Sequence, residues 1–278
     1  MKLKSRVIAF FLLSCIFISG CADDQYSIER KYYRAQKQAE KIFMNPKSSP
    51  SNEVERIVSM LEGFADKYPN TTFSVDAQFL VARIYLVKEE YEKSRGKLRQ
   101  IMSKYPNSGI LNSEALFLIG NTYERQDKWD QALNEYRILM EEYATAPKGL
   151  STPMYIIQHY KEKFQPEKMR SAVDDAIFRY NGLIQKFPNS TVAVQSYALI
   201  SASYRVISDW ANSIKTLNTM VEKFSGKINM DSVLMDIALI YKKELRDSAK
   251  SKEVLERLIK EYPKSRFANL AKALLEKP

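Results

Sequence analysis

The chain has 278 residues and a formal net charge of +10, from 43 Lys and Arg against 33 Asp and Glu. Eight glycines and two cysteines are too few to favour glycine-rich phosphate loops or cysteine-based metal sites. The one histidine, His159, cannot form a zinc site alone. We therefore expect no metal and no cofactor, and we expect His159 to be a packed or surface residue.

The N-terminal residues have the pattern of an export signal. Three basic residues precede an apolar run at 7–18 that only Ser14 interrupts. This run is too short to cross a bilayer and is typical of a signal peptide. It ends in ISGC at 18–21, which resembles a bacterial lipobox. The resemblance implies a lipoprotein signal peptide at 1–20 and a lipid on Cys21. An alternative lipobox that ends at Cys15 would leave a much shorter apolar run.

The residue after the expected lipidated cysteine is Ala22. In bacterial lipoproteins, a residue other than Asp at this place resembles outer-membrane sorting. The resemblance implies an anchor in the outer membrane, with the protein on its periplasmic face. Since Cys15 would leave with the signal peptide and Cys21 would carry lipid, we expect no disulfide and no cysteine catalysis.

A short phrase recurs along the rest of the chain: an aromatic residue, Pro, Asn or Lys, and Ser or Thr. Complete copies occupy 68–71, 105–108, 187–190 and 262–265, and weaker ones begin at Tyr143 and Phe224. The aromatic residues are therefore 37, 38, 44, 37 and 38 positions apart. A repeat of this length predicts a supersecondary unit stacked on copies of itself.

The pattern of apolar residues predicts two helices in each repeat. In 75–108, apolar residues recur at helical spacing up to Tyr85, and a polar break follows at 88–90. A second helical run extends to Tyr105, and Pro106 ends it. Small residues fall where the two helices should cross. They are Ala82, Gly120, Ser201 and Ala238 on the first helices and Ser94, Ala132, Ser213 and Ser251 on the second.

Two units depart from this regularity. The first is an opening pair at 26–44 and 53–68, joined by a Pro/Ser loop. In the fourth unit we expect a loop at 147–153, marked by Pro147, Gly149 and Pro153, before a helix at 154–164. Pro166 should open the following helix. We predict one repeat domain at 21–278, with an irregular insertion at about 144–166 and a closing helix at about 265–276.

The order of large, small and aromatic residues resembles the tetratricopeptide repeat. Val81, Ala82, Tyr85, Ser94 and Leu98 occupy the expected places in one unit. The resemblance implies an all-α, tetratricopeptide-type α-solenoid of about six helix–turn–helix units with a C-terminal capping helix. The aromatic residues are then core. The polar residues of the repeated phrase suit helix caps rather than catalysis; they are Asn70 and Thr71, Asn107 and Ser108, Asn189 and Ser190, and Ser265.

A lipobox combined with such repeats resembles two bacterial envelope families. One is the BamD family of outer-membrane assembly lipoproteins, which serve β-barrel insertion. The other is the CpoB (YbgF) family of scaffolds for cell division and peptidoglycan synthesis, whose members typically carry a coiled coil and no lipid. The lipid anchor favours the first family, which implies an outer-membrane insertase or unfolded outer-membrane proteins as partners. Six units and a first unit without the aromatic–small–aromatic signature depart from the BamD pattern.

In the tetratricopeptide family, partners contact the first helices of successive units. The matching positions form the predicted partner-binding groove: Asp76, Phe79, Arg83, Glu114, Phe117, Asn121, Arg125, Arg205 and Lys242. We expect a preformed trough that takes an extended or helical peptide. Lys and Arg alternate with Glu along the helices, which is typical of a solvated surface, so we expect no nucleic-acid partner and no small-molecule substrate.

An enzyme is the contrasting hypothesis. Glu141 with Glu142 and Asp174 with Asp175 are adjacent carboxylates of the kind that glycoside hydrolases pair. Neighbouring residues on a helix point about 100° apart and do not converge. The sequence therefore predicts a binding protein without catalytic residues.

Overall fold

The computed structural model describes residues 24–276, so the signal-peptide and Cys21 predictions lie outside the described residues. Within that range the secondary structure is helical, without strands, in thirteen helices. They are α1 Gln25–Met44, α2 Ser51–Lys67, α3 Thr72–Val87, α4 Tyr91–Lys104, α5 Gly109–Glu124, α6 Trp129–Glu142, α7 Pro147–Glu162, α8 Pro166–Lys186, α9 Thr191–Val206, α10 Trp210–Phe224, α11 Asp231–Lys243, α12 Ser248–Glu261 and α13 Arg266–Glu276. The all-α prediction, with six helix pairs and a closing helix, is confirmed.

The chain divides into two compact units, Met1–Tyr105 and Pro106–Pro278. The described part of unit 1 holds the pairs α1/α2 and α3/α4, with α1 also packed on α3. Its core includes Ile57, Leu61 and Ile84, all fully buried. Lys88 holds the loop between α1 and α2, because its Nζ donates to the carbonyls of Pro46 at 2.8 Å and Ser49 at 3.1 Å.

Unit 2 holds four helix pairs, α5/α6, α7/α8, α9/α10 and α11/α12, followed by α13. Each helix packs most closely on its neighbours in sequence, as expected for a repeat fold. The main core cluster runs from Ile157 in α7 to Ala271 in α13. The buried residues of α13 are small, Ala268 and Ala271, so this last helix covers the end of the core with its narrow apolar side.

Within each regular pair, the small residues predicted at the helix crossing are buried there. Ser94 Oγ donates to the Ala82 carbonyl at 2.8 Å, and Ser251 Oγ donates to the Ala238 carbonyl at 2.9 Å. In the fifth pair the hydroxyls of Ser201 and Ser213 bond to each other at 2.8 Å. A small side chain thus lets the helices approach closely. Where this side chain is serine, its buried hydroxyl has a hydrogen-bond partner, as buried polar groups require.

The turns between the two helices of five pairs share a positive-φ residue near their end. One residue in each turn has a positive φ, and none of the five is glycine: Glu89, Asp127, Phe164, Ser208 and Arg246, with φ from 52° to 62°. The next residue's N–H donates, at 2.8–3.0 Å, to the carbonyl of Tyr85, Tyr123, Tyr160, Tyr204 or Tyr241. In the first four turns this bond spans five residues, as in a Schellman-type helix end. In the last turn it spans six, from Asp247 to Tyr241, because this turn has one more residue.

The connections between pairs end in a polar cap, formed by the predicted hydroxyl residues and not by the predicted Asn70, Asn107 or Asn189. The side chains of Thr71, Ser108 and Ser190 accept from the backbone N–H three residues on, at 3.1–3.4 Å. Ser265 Oγ accepts from Phe267 N at 2.9 Å and donates to the buried Asp231 carboxylate. These hydroxyls satisfy helix N-termini and do not form catalytic arrangements.

The predicted loop at 147–153 is wrong. Helix α7 already begins at Pro147, because proline at the first helical position needs no hydrogen-bond donor. Pro153 lies inside this helix, where burial of the flanking Leu150, Ile156 and Ile157 outweighs its low helix propensity. Gly149 lets the backbone approach, since a Cβ there would lie 2.7 Å from the carbonyl carbon of Tyr143.

The longer step of 44 residues comes from α8 instead. This helix has 21 residues, against 14 in α4, α6 and α12. The positive-φ positions Asp127 and Phe164 are 37 residues apart, whereas Phe164 and Ser208 are 44 apart. The additional residues therefore lengthen the second helix of the fourth pair by roughly two turns.

Candidate functional site

The first helices of unit 2 lie side by side. α5 packs on α7 and α7 on α9, whereas among the described second helices α6 and α8 do not pack on each other in the same way. The ion pair between Arg205 and Asp236 links α9 to α11. We call the first-helix face the set of side chains through which α5, α7, α9 and α11 contact one another, together with the α6 residues that these side chains touch. It is the counterpart, within unit 2, of the groove predicted from the sequence.

At the α5 end of this face, an ion pair stands beside an aromatic ring. Glu114 Oε2 lies 3.5 Å from Lys148 Nζ of α7. The same ammonium lies 4.2 Å from the centroid of the Phe117 ring, a favourable cation–π distance. Phe117 also packs edge-on against Tyr155, with centroids 5.1 Å apart. Two predicted residues, Glu114 and Phe117, are thus joined here by two from α7.

The middle of the face is organised by one carboxylate, in a group that we call the Glu124 cluster: Glu124, Trp129, Tyr136, Tyr155 and His159. Glu124 Oε2 accepts from Tyr155 at 2.6 Å and Tyr136 at 3.1 Å, and Oε1 lies 2.9 Å from His159 Nδ1. A carboxylate only accepts, so Nδ1 carries the proton in this arrangement. The imidazole lies flat on Trp129, with ring centroids 3.4 Å apart and planes 6° apart.

Burial dominates the acid–base behaviour of the two tyrosines. Burial raises the pKa of Tyr136 well above its ordinary value, and nearby Tyr155 and Glu124 add to the effect. Burial also raises the pKa of Tyr155, followed by its hydrogen bond to Glu124. Asn121, a predicted groove residue, donates to the Tyr136 hydroxyl at 2.6 Å. Both phenols therefore stay protonated and act as fixed hydrogen-bond donors.

Further along, Arg205 of α9 pairs with Asp236 of α11 at 2.6 Å. Its guanidinium also donates to Ser213 at 3.3 Å and Ser201 at 3.4 Å, so it lies over the helix crossing of its own pair. The arginine is about one-third exposed and the aspartate about one-half, at 31% and 47%. This ion pair links two neighbouring first helices and remains accessible to a partner.

The other predicted groove residues have different surroundings. Arg125 caps the C-terminus of α5 and is exposed, and Lys242 is half-buried in the last turn of α11. Phe79 belongs to unit 1 and is 8% exposed, so it offers a partner little surface. Asp76 and Arg83, also in unit 1, are exposed on α3. Partial burial of its carboxyl raises the pKa of Asp76, against the opposing charge of Arg83.

Sequence reasoning missed the contribution of α7. Lys148, Tyr155 and His159 lie on one side of this helix, at positions i, i+7 and i+11, which is a helical stripe. The prediction of a loop at 147–153 hid the start of that stripe. His159 is packed as expected, yet its proton also joins α7 to α5 through Glu124. Asp236 was missed because its partner, Arg205, belongs to another repeat.

Metal-binding clusters and membrane-spanning helices are both absent from the described residues. Between residues 24 and 276, no group of three or more His, Cys, Asp or Glu side chains is placed to hold a metal ion. Across the same range, each helix is too short or too polar to traverse a bilayer. Of the carboxylate pairs noted above, Asp175 is held by Arg179 at 2.7 Å, and Glu141 and Glu142 are exposed.

Comparison with known proteins agrees with the repeat pattern. Three segments, 76–108, 114–146 and 232–265, match the tetratricopeptide repeat family model. They cover most of the pairs α3/α4, α5/α6 and α11/α12. No curated protein matches the chain in sequence. The fold is thus of tetratricopeptide type, which is typically a non-catalytic scaffold suited to protein–protein interaction.

Several solved structures are similar to this chain at low identity. BtubC (BKLC) from P. vanneervenii has 12% identity and a TM-score of 0.42, with 90% of this chain and 93% of that chain covered. PilW, a type IV pilus biogenesis factor, has 11% identity and a TM-score of 0.40, with 88% and 98% covered. A TPR2AB-domain:pHSP90 complex of yeast Sti1 has 13% identity and a TM-score of 0.34, with 89% and 96% covered.

Proposed function

We propose that this chain is a lipid-anchored scaffold on the periplasmic face of the outer membrane, and that its first-helix face binds polypeptides during β-barrel protein assembly, as a BamD-like component. The observation that carries the binding role is the face itself. Glu114, Phe117 and Lys148 at one end, and Arg205 with Asp236 further on, combine an aromatic surface with both signs of charge.

Such a surface suits a peptide better than a small molecule. Its charges occur as separate ion pairs along successive first helices, rather than converging on one point. A peptide can exchange these ion pairs for its own charged side chains and backbone groups, while an apolar side chain packs on Phe117. The Glu124 cluster keeps the α5–α7 part of the face in one conformation, which limits the entropy lost on binding.

The membrane anchor is supported by the sequence ISGC at 18–21. Growth with labelled palmitate should label the wild-type protein. Cys21→Ser should abolish the label and release the protein from the outer-membrane fraction. The matched control is Cys15→Ser, which should leave both the label and the fractionation unchanged. An unlabelled wild-type protein would contradict the anchor without affecting the binding role.

The binding role is tested by site-specific photo-crosslinking in cells. A photoreactive residue in place of Phe117 should capture an outer-membrane insertase or an unfolded outer-membrane protein. The control position is Gln185, exposed on the second helix α8, which should capture neither. Co-purification with a barrel protein in detergent should accompany the crosslink, and isolation only as a free monomer would contradict the assembly role.

The same crosslinking experiment distinguishes the proposed assembly role from the alternative, a CpoB-like scaffold for cell division or peptidoglycan synthesis. Both families link their units with an aromatic–Pro phrase like the one at 105–108. Crosslinks from position 117 to Tol-type proteins or to a peptidoglycan synthase would replace the assembly role with one in division or wall synthesis. The first-helix face would then keep its function as a polypeptide-binding surface and change only its partner.

A further inference from the structure

A second recess lies on another side of unit 2, between helices α6 and α8. Because these second helices do not pack on each other, the intervening α7 forms the floor of a cleft between them. The cleft has a volume of about 300 Å³. That volume is at the lower end of the range for ligand-binding sites, and it suits one or two amino-acid side chains rather than a large cofactor.

The floor of this α6–α8 cleft is apolar. Met140 of α6 and Ile156 and Tyr160 of α7 line it and are 5–8% exposed. Pro153 lies beside them, so the unusual proline inside α7 presents its ring to the cleft and contributes no N–H group. A bulky apolar side chain inserted here would be removed from water, which contributes a favourable free energy of about 25 cal/mol per Å² of apolar surface buried.

The rim of the cleft is cationic. Arg137, Lys168 and Arg179 line it, and the only acidic lining residue is Asp175. Arg179 Nε already pairs with Asp175 at 2.7 Å, and the Lys168 ammonium lies 5.9 Å from the Tyr160 ring centroid. Among the described residues, neither Arg137 nor Lys168 forms an ion pair, whereas Arg179 does, so two positive charges at the rim lack a carboxylate partner.

The geometry points to the α6–α8 cleft as a binding site for an acidic peptide segment that carries one bulky apolar residue. The apolar side chain enters the floor between Met140 and Ile156, and flanking carboxylates face Arg137 and Lys168. Guanidinium groups bind carboxylates through two parallel N–H donors, so Arg137 contributes orientation as well as charge. This site is separate from the first-helix face and does not depend on the function proposed for it.

The test uses the purified chain from residue 24 onward and fluorescent pentapeptides with blocked ends. One peptide has Phe at its centre and Glu at the four other positions. The second replaces Phe with Ala, and the third replaces every Glu with Lys. Fluorescence anisotropy at low salt should show saturable binding of the first peptide, at least tenfold weaker binding of the second and none of the third.

Two charge reversals locate the site. Arg137→Glu should weaken binding of the Phe/Glu peptide at least tenfold. Arg99→Glu makes the same change at an exposed position of α4 that does not line the cleft, and it should leave the affinity within about twofold. Circular dichroism should show native helix content for both variants, since both arginines are exposed.

Three results would overturn the proposal: no binding by the wild-type chain, equal losses in the two arginine variants, or unchanged affinity for the Ala-centred peptide. Equal losses would mean general attraction to a basic protein. Phe117→Ala distinguishes the two proposed binding sites. It alters the first-helix face and should leave the affinity of the α6–α8 cleft for the Phe/Glu peptide unchanged. If position 117 gave no crosslinks in cells while the cleft still bound the Phe/Glu peptide, the function proposed for the first-helix face would be contradicted and the cleft proposal would stand.

Discussion

Gly120 is where helix α5 comes closest to the ring of Tyr136 in α6. A Cβ at this position would lie 2.7 Å from Tyr136 Cζ, and Tyr136 is fully buried and bonded to Asn121 and Glu124. The ring therefore has no room to move. We predict that Gly120→Ala lowers the free energy of unfolding by about 2 kcal/mol, as overpacking does in a tight core, measured by urea denaturation.

Gly182 provides the matched control for that substitution. It lies in the middle of α8, is exposed, and would place its Cβ in open space. Gly182→Ala should therefore raise the free energy of unfolding by about 0.5–1 kcal/mol, because alanine loses less backbone entropy in a helix. Similar effects at the two glycines would show that the α5–α6 crossing is looser than this structure indicates.

Glu124 stabilises unit 2 through three side-chain partners rather than through one ion pair. Glu124→Ala would leave the hydroxyls of Tyr136 and Tyr155 without their acceptor in a largely buried site. The expected cost is about 2 kcal/mol. Glu141 is an exposed carboxylate in α6, and Glu141→Ala is the control. Its free energy of unfolding, measured by thermal and urea denaturation, should stay within about 0.5 kcal/mol of the wild-type value. Equal effects would contradict the organising role of Glu124.

At the level of elements, the inter-helix turns store a small strain. Phe164 has a φ of 53° and is 91% exposed, so its side chain gains no packing for adopting the left-handed region. Phe164→Gly should stabilise the chain by about 1 kcal/mol, the approximate cost of that conformation for a residue with a Cβ. The measurement is the shift of the urea midpoint.

The control for this turn lies three residues before Phe164. Lys161 is exposed in the last turn of α7 with helical backbone, so Lys161→Gly should destabilise by about 1 kcal/mol. Opposite signs at 161 and 164 are the expected outcome. Loss of stability in Phe164→Gly would mean that the exposed ring makes contacts that this structure does not show.

The elements also show which parts of the fold were predictable. The pairs, caps and small-residue crossings follow from local patterns, since the residues that form them are close in sequence and recur in each unit. α7 was partly misassigned because proline and glycine favour loops when burial is unknown. The pairs Glu114–Lys148 and Arg205–Asp236 join different repeats, and a single-repeat pattern carries no information about them.

The candidate site was predictable to a similar extent. Position matching named Glu114, Phe117, Asn121 and Arg205, which the structure places at contacts of the first-helix face; their role in partner binding stays a prediction. It could not find that Glu124 joins α5 to α7, because its partners Tyr155 and His159 lie 31 and 35 residues further along the chain. The α6–α8 cleft was invisible for the same reason, since three separate helices line it.

For the whole molecule, buried tyrosines set the response to alkaline pH. Burial raises the pKa of Tyr32 in unit 1 to about 12, with the charge of Asp76 as the next cause. In unit 2, burial raises the pKa of Tyr136, Tyr155 and Tyr180. Below about pH 9 these phenols are almost fully protonated in both the folded and unfolded states, so they contribute little pH dependence there.

Above pH 10 the unfolded chain releases these protons first, and the free energy of unfolding should fall as pH rises from about 10 through 12. Trp129 and Trp210, the two tryptophans, both lie in unit 2, so their fluorescence follows that unit, while circular dichroism follows every helix. Urea midpoints from both signals should decrease between pH 9 and pH 11. Tyr180→Phe removes one of these phenols, so the fluorescence midpoint should depend less steeply on pH in this variant, and an unchanged slope would mean that Tyr180 ionises equally in both states.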